Sequence, residues 1–362
     1  MLFKQLAHKQ MDKFYNLHNL IHIKINKGRL NLADGYSHYL RYFSTNETPS
    51  NIDYEVKEFS QFQLPKECTD TGGVLGFKDG VCFNKEKYAL TFTDGKITEF
   101  TTYPNRATNL WIQWLFLKRN LSFIHGAGVE INGKGIVFPA FGGTGKTVLI
   151  SELRKLVNCK VFGDDYVIVD KNGGMFSYPS DFSIYPYHIS IFPELKNSIF
   201  DRYLHSRKIF SFFYDFRRLV NFIWRRFSQS GAPLLSGWNA DYAKVPAKDL
   251  IGENNIGYQT NLTTAVFLSR YSGDEIRVEE MSLDQLTKST DGILWLESQH
   301  ALPYLAVLSA FGLVDMASMA ASQQNVLMGC FAPLKRFHVY IPHKLDTDSF
   351  VKYMTKFIRE IL

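Results

Sequence analysis

A single glycine-rich stretch governs the interpretation of this chain: Ala140-Phe141-Gly142-Gly143-Thr144-Gly145-Lys146-Thr147. An apolar run, Gly135-Ile136-Val137-Phe138, precedes it, and a run with helical character, Val148-Leu149-Ile150-Ser151-Glu152-Leu153, follows it. The order of strand, tight glycine-rich turn and helix is typical of a loop that binds phosphate groups. The sequence therefore predicts a nucleotide site here, in a relaxed form of the motif with Ala140 at the position of the first glycine.

Each residue type in this stretch has a chemical reason to be there. The glycines allow consecutive backbone N–H groups to turn toward an anion, and the start of the following helix adds partial positive charge. The residues that would surround the phosphates are Gly142, Gly143, Thr144, Gly145, Lys146 and Thr147. In such a loop Lys146 reaches the β and γ phosphates, and the hydroxyl of Thr147 is a ligand of Mg²⁺. The alternative is a glycine-rich turn without a ligand.

The composition indicates a folded protein of one large or two ordinary domains. The 362 residues are 45% hydrophobic and 21% charged, which allows a core and argues against disorder. The net charge of +6 is mild. It favours anionic ligands but does not by itself indicate nucleic-acid binding, so no nucleic-acid partner is expected.

The four cysteines are scattered, with no C-x-x-C pair. This distribution suits a reducing compartment and argues against a disulfide framework or a cysteine-based zinc site. The first residues lack the pattern of a secretory signal, and no uncharged apolar run approaches the length of a membrane span. We therefore expect a cytoplasmic protein, either soluble or peripheral at the inner face of the membrane.

Two domains are predicted. Residues 1–105 would form a strand-rich domain, with a helix over Met11 to Leu20 and then short strands, and it could be a substrate or lid domain. Residues 106–362 would form an α/β domain with a mixed sheet around the glycine-rich stretch. Its first elements are a helix over 107–121 and a hairpin that turns at Asn132-Gly133.

A pair of carboxylates follows the helix of the glycine-rich stretch. Gly163-Asp164-Asp165 comes directly after a predicted strand, Cys159-Lys160-Val161-Phe162. A strand end behind a phosphate-binding helix is where phosphotransferases place ligands of Mg²⁺ or a catalytic base. Two adjacent carboxylates repel each other, which raises one pKa unless a metal ion compensates. This would allow Asp164 to act as the base while Asp165 faces the metal ion; the alternative is a simple turn.

Taken together, these segments resemble a known family. His125-Gly126, the hairpin, Gly142-Gly143-Thr144-Gly145-Lys146-Thr147 and Gly163-Asp164-Asp165-Tyr166-Val167 are similar to HPr kinase/phosphorylase and its relatives, whose core is similar to that of phosphoenolpyruvate carboxykinase. The resemblance covers about 122–180 well, continues only generally to the C-terminus and does not reach the first hundred residues.

The resemblance implies a P-loop core of the HPr kinase C-terminal type that binds ATP and Mg²⁺. It implies that Lys146 and Thr147 contact the phosphates and the metal ion, that Asp164 transfers the proton, and that Asp165 assists with metal or positioning. It also places His125 near Asp164, whereas His125 on its own is equally well explained as a structural histidine at a strand end.

Two departures from the family pattern bear on the substrate. The loop begins with Ala140-Phe141 rather than Gly-x-Ser-Gly, and the arginine-bearing signature of the bifunctional enzyme is not found. We therefore expect a kinase for a hydroxyl acceptor other than HPr. A serine of a peptide or protein, or a sugar or glycan precursor, fits this description.

A basic helix rich in Phe is predicted over 206–227, within an insertion of about 205–230. Its apolar residues recur on one face and its arginines lie on the other side. One interpretation places this helix in a membrane interface. The alternative packs it on the kinase core or in a homo-oligomer.

The sequence leaves two further functions open. One is a nucleotide-binding regulatory or assembly module with slow hydrolysis. The other is a decarboxylating enzyme of the phosphoenolpyruvate carboxykinase type, which would need a second metal site for which the sequence offers no His/Lys cluster.

Overall fold

The computed structural model describes residues 12–26, 28, 32–104, 107–184 and 243–362. The predicted helix over 206–227 and the insertion around it lie outside the described residues. The described part of the chain is a mixed α/β protein with two large mixed sheets. None of the helices within it is long and apolar enough to cross a bilayer.

In the described residues, nine strands form the first sheet: β1 (Lys13–Leu17), β2 (Ile21–Ile25), β3 (Ser44–Thr45), β4 (Tyr54–Glu58), β5 (Thr69–Asp70), β6 (Val74–Phe77), β7 (Gly80–Phe83), β8 (Tyr88–Thr93) and β9 (Lys96–Thr101). Their order is β3-β1-β2-β4-β9-β8-β7-β6-β5. The pairs β2–β4 and β4–β9 are parallel, and the remaining pairs are antiparallel. The strands predicted for this region are therefore confirmed.

The predicted helix over Met11 to Leu20 is wrong, because residues 13–17 form β1. Tyr15 and Leu17 are buried while their neighbours in the strand are more exposed, which is the alternation of a strand. His18 and Asn19 then adopt left-handed conformations with φ of 55° and 59°. They turn the chain so that β1 pairs with β2, and this pairing outweighs the helical spacing of the apolar residues.

The second sheet contains the glycine-rich stretch. Its described strands are β10 (Leu121–Ile131), β11 (Lys134–Pro139), β12 (Cys159–Gly163), β13 (Tyr166–Asp170), β14 (Gly174–Ser177), β17 (Gln259–Tyr271), β18 (Arg277–Glu280) and β19 (Lys335–Pro342). The order is β11-β10-β13-β14-β17-β19-β18, with β12 paired to β10. The predicted hairpin β10–β11 is confirmed, and its turn residues Asn132 and Gly133 have φ of 52° and 79°.

Strand β17 sets the geometry of the site. Its first residues pair with β14, and its later residues lie parallel between β11 and β19. The carboxyl ends of β11, β17 and β19 consequently lie at the same edge of the sheet. Ala140, the residue after β11, still pairs with Leu268 of β17 as an isolated bridge.

The described helices are α1 (Leu32–Leu40), α2 (Thr108–Leu117), α3 (Lys146–Leu153), α4 (Ala247–Ile251), α5 (Leu283–Glu297), α6 (Leu302–Ala310), α7 (Met316–Phe331) and α8 (Thr347–Ile361). Side chains of α5 and α7 share a core with one face of the second sheet. Helix α8 packs against α3 and places Phe357 on Phe337 of β19. A second core joins the first sheet to α2, α6 and α7.

The chain divides into two compact units. One contains the described residues up to Ser180 together with Asn254–Leu362, and the other is Asp181–Glu253. The second unit includes α4 and a two-stranded sheet of β15 (Phe182–Ile184) and β16 (Ala243–Val245). The predicted domain boundary near residue 105 falls within the first unit, between its two sheets.

Candidate functional site

Residues 140–147, called the glycine loop below, connect β11 to α3. Gly143 and Gly145 have φ of 76° and 105°, a backbone conformation that residues with a Cβ rarely adopt. The Cβ positions of Gly142 and Gly143 face open space, whereas a Cβ on Gly145 would lie 3.0 Å from a ring carbon of Phe350 in α8. The tip of the loop is therefore open to solvent, whereas its last glycine lies close to α8.

Lys146 is the first residue of α3, and its side chain lies inside the glycine loop. It is 6% exposed, and its Nζ donates to the carbonyl oxygens of Ala140 at 2.9 Å and Phe141 at 3.0 Å. Burial lowers the pKa of Lys146, while the carboxylates of Asp164, Asp165 and Glu297 act in the opposite direction. The loop thus encloses a cation next to a group of carboxylates.

The two predicted carboxylates stand on the turn between β12 and β13. Asp164 is 6% exposed, and its Oδ2 accepts a hydrogen bond of 2.7 Å from the hydroxyl of Thr147. The carbonyl oxygen of Asp165 accepts from the backbone N–H of Gly126 at 3.0 Å. The turn is therefore held to β10 on one side and to the start of α3 on the other.

His125 lies on β10, directly opposite Tyr166 of β13. Its Nδ1 is 3.0 Å from the carbonyl oxygen of Ala140, so we assign the proton to Nδ1 as the donor. Burial, together with the nearby charge of Lys146, lowers the pKa of His125 to about 3. The ring is neutral at ordinary pH, and its Nε2, 3.9 Å from Oε1 of Glu297, does not form an ion pair there.

Glu297 is the site residue that sequence reasoning missed. It is the last residue of α5, and besides its approach to His125 it acts electrostatically on Lys146 and Tyr166. Only one local signal could have identified it. A carboxylate in the last turn of a helix opposes the helix dipole, which is unfavourable unless it has another role.

The structure brings the predicted site residues of three segments together at one end of the second sheet. Within the described residues there is no group of three His, Cys, Asp or Glu side chains arranged to hold a metal ion. Mg²⁺ does not require such a group, because it is commonly held by one or two carboxylates together with water and substrate phosphates. The hydroxyl of Thr147 is an oxygen donor of the required kind beside the loop, and Asp165 follows Asp164, which accepts a hydrogen bond of 2.7 Å from that hydroxyl.

Comparison with known proteins adds no family to this description. Neither the family models nor the curated proteins that were searched match the chain. The function of this chain is therefore inferred from its sequence and from the geometry of the site.

Proposed function

We propose that this chain is a kinase that transfers the γ-phosphoryl group of Mg·ATP to a hydroxyl acceptor. The observation that carries the proposal is the hydrogen bond between Thr147, at the start of α3, and the buried carboxylate of Asp164. It joins the predicted phosphate-binding element to the predicted base within a single hydrogen-bond distance. A glycine-rich turn without a ligand would have no reason to bury a lysine and a carboxylate together.

The glycine loop supplies the groups that would bind phosphate. Its exposed tip at Gly142 and Gly143 leaves backbone N–H groups accessible, and the start of α3 adds positive potential. Lys146 would exchange its two carbonyl acceptors for phosphate oxygens. Because this ammonium group is already buried, binding the nucleotide replaces protein dipoles around it rather than bulk water.

Asp164 would accept the proton of the acceptor hydroxyl as that oxygen attacks phosphorus. Thr147 and Asp165 would hold Mg²⁺, which neutralises charge on the phosphates when it is bound. Phosphoryl transfer is achieved mainly by positioning and charge stabilisation. The requirement on this chain is therefore that Asp164 and the loop keep a fixed separation, which the hydrogen bond from Thr147 provides.

His125 enters this proposal as a positioning residue. It donates to the carbonyl of Ala140 and its low pKa keeps it neutral, so it is suited to holding the entry of the glycine loop rather than to proton transfer. The proposed relation to the HPr kinase type rests on the sequence resemblance together with this arrangement. An acceptor other than HPr, with residues 1–105 as the substrate or lid domain, belongs to the same proposal.

ATP binding and phosphoryl transfer test the proposal separately. Lys146→Ala should lose Mg·ATP binding, measured by calorimetry. Lys155→Ala, which changes an exposed lysine just after α3, should keep it. Asp164→Asn should still bind Mg·ATP but lose transfer, with the exposed Asp284→Asn as its control. The acceptor would be found by incubating the protein with γ-labelled ATP and fractionated cell extract.

The same variants separate the kinase from the regulatory alternative. A regulatory module would tolerate Asp164→Asn in its nucleotide-dependent function, and no extract fraction would become labelled. Unchanged ATP affinity in Lys146→Ala would contradict the assignment of the glycine loop itself.

A further inference from the structure

A cluster of aromatic and cationic side chains lies near the carboxyl ends of β17 and β19 in the second sheet, outside the site described above. It consists of Tyr271 on β17, Arg277 on β18, and His338 and Tyr340 on β19, and we call it the aromatic platform. The guanidinium carbon of Arg277 lies 4.8 Å from the ring centroid of Tyr340 and 5.6 Å from that of Tyr271. The rings of His338 and Tyr340 are stacked with their centroids 3.7 Å apart.

The platform lies at the same edge of the sheet as the glycine loop. Strands β11, β17 and β19 are parallel, and Ala140 at the start of the loop pairs with Leu268. Tyr271 is three residues beyond Leu268, which corresponds to about 10 Å along the strand. In α/β sheets, ligands bind beyond the carboxyl ends of parallel strands. The platform is therefore within the reach of a nucleotide whose phosphates occupy the loop.

The platform is partly exposed and held in place. The side chain of Arg277 is 55% exposed, and Tyr271 and Tyr340 are half-buried. His338 is fixed by a hydrogen bond of 2.8 Å between its Nε2 and the hydroxyl of Ser269, and burial lowers the pKa of its ring. The exposed guanidinium of Arg277, held against these rings, is a planar cation of the kind that stacks on nucleobases together with aromatic side chains.

We propose that the aromatic platform binds the base of the nucleotide whose phosphates are held by the glycine loop. This inference rests on the proposed function, because it requires a nucleotide at the loop. The competing explanation is that the rings only stabilise neighbouring strands, as aromatic cross-strand pairs do. The ion pair between Arg277 and Glu279, at 2.7 Å, is exposed to solvent. Such a pair contributes little to stability and does not by itself explain why Arg277 lies over the rings.

Comparing ATP with inorganic tripolyphosphate separates the base from the phosphates. We would measure the Kd of each ligand with Mg²⁺ for the full chain by calorimetry. Tyr340→Ala and Arg277→Ala should each weaken ATP binding roughly tenfold, since a base–aromatic contact has an effect of this order. Both variants should leave tripolyphosphate binding unchanged. Tyr340→Phe keeps the ring and should bind ATP as the wild type does, and Tyr353→Ala, an exposed tyrosine of α8, is the matched control.

The outcomes distinguish this inference from the proposed function. If the wild type binds neither ligand, both fail. If it binds ATP no more tightly than tripolyphosphate, or if Tyr340→Ala and Arg277→Ala change both affinities equally or not at all, the platform has no role in base binding while the kinase proposal stands. If Tyr340→Ala does not fold, Arg277→Ala decides alone, because its side chain lies at the surface.

Discussion

A buried carboxyl group in the first sheet should make the stability of this protein depend on pH. Glu99 of β9 is 0% exposed. It accepts hydrogen bonds from the hydroxyl of Tyr36, at 2.8 Å, and from the hydroxyl of Tyr54. Burial outweighs these two hydrogen bonds and raises the pKa of Glu99 from 4.5 to about 7. Glu99→Gln places a neutral side chain of nearly the same shape at this position.

The sign and size of the effect follow from that shift. The folded protein holds the proton of Glu99 more tightly than the unfolded chain does, so the stabilising contribution is complete below pH 4.5 and is lost as the pH rises toward 7. Each unit of difference between the two pKa values corresponds to about 1.4 kcal/mol. The interval from 4.5 to 7 therefore amounts to a loss of about 3 kcal/mol. Glu99→Gln should lack this loss.

Denaturant unfolding at several pH values between 4.5 and 8 tests this, with tryptophan fluorescence as the signal. Trp111 is fully buried in the same core and donates from its indole to the hydroxyl of Tyr88 at 2.9 Å, so its emission reports on this region. The free energy of unfolding of the wild type should fall by about 3 kcal/mol relative to that of Glu99→Gln. Glu67→Gln, at an exposed position, should follow the wild type. Parallel curves for wild type and Glu99→Gln would refute the reasoning.

Three further predictions concern the glycine loop and its surroundings. Gly145→Ala should lower the free energy of unfolding by about 1–2 kcal/mol or more, because of its positive φ and the close ring of α8, while Gly142→Ala, which faces open space, should not; thermal denaturation compares them. Thr147→Val should lower the free energy of unfolding by about 1.5–3 kcal/mol, because it removes a hydrogen bond to a carboxylate, and Thr147→Ser, which keeps the hydroxyl, should retain the wild-type stability. If both variants lower the melting temperature equally, the hydrogen bond does not stabilise the protein. Glu297→Gln removes a negative charge near Lys146, so Mg·ATP should bind more tightly at low salt, and the gain in affinity should shrink at high salt. Weaker binding of this variant in calorimetry would mean that Glu297 supports nucleotide binding instead of opposing it.

Local chemistry made much of the second sheet predictable. The turn at Asn132-Gly133 requires two positive φ values, which asparagine and glycine tolerate, and the structure has them there. The start of α5 is likewise encoded locally, because Ser282 and Gln285 form a reciprocal capping box. The segment from Met11 failed for the opposite reason, because its apolar spacing suits either a helix or a strand and only pairing with β2 decides between them.

Contacts between segments that are distant in the sequence could not be predicted from local sequence patterns. Glu297 reaches the site only because α5 ends beside His125. The aromatic platform forms only because β17 and β19 are parallel in a register that aligns Ser269 with Tyr340. The position of Glu297 at the end of α5 is a weak local signal, and the platform has none, because its side chains come from strands that are distant in the sequence. The roles of both therefore depend on tertiary structure.

The entry of the glycine loop shows how tertiary structure accommodates a departure from the sequence motif. Ala140 continues the pairing of β11 with β17, and its side chain is completely buried, so this position needs neither a positive φ nor the absence of a Cβ. Its carbonyl oxygen accepts hydrogen bonds from both Lys146 and His125. If a phosphate group draws Lys146 away, as the proposed function requires, His125 still holds this carbonyl. Because the pKa of His125 is lowered to about 3, this support does not change with pH in the range where a kinase would act. An alanine at the entry is thus compatible with a loop that keeps its shape with or without a nucleotide.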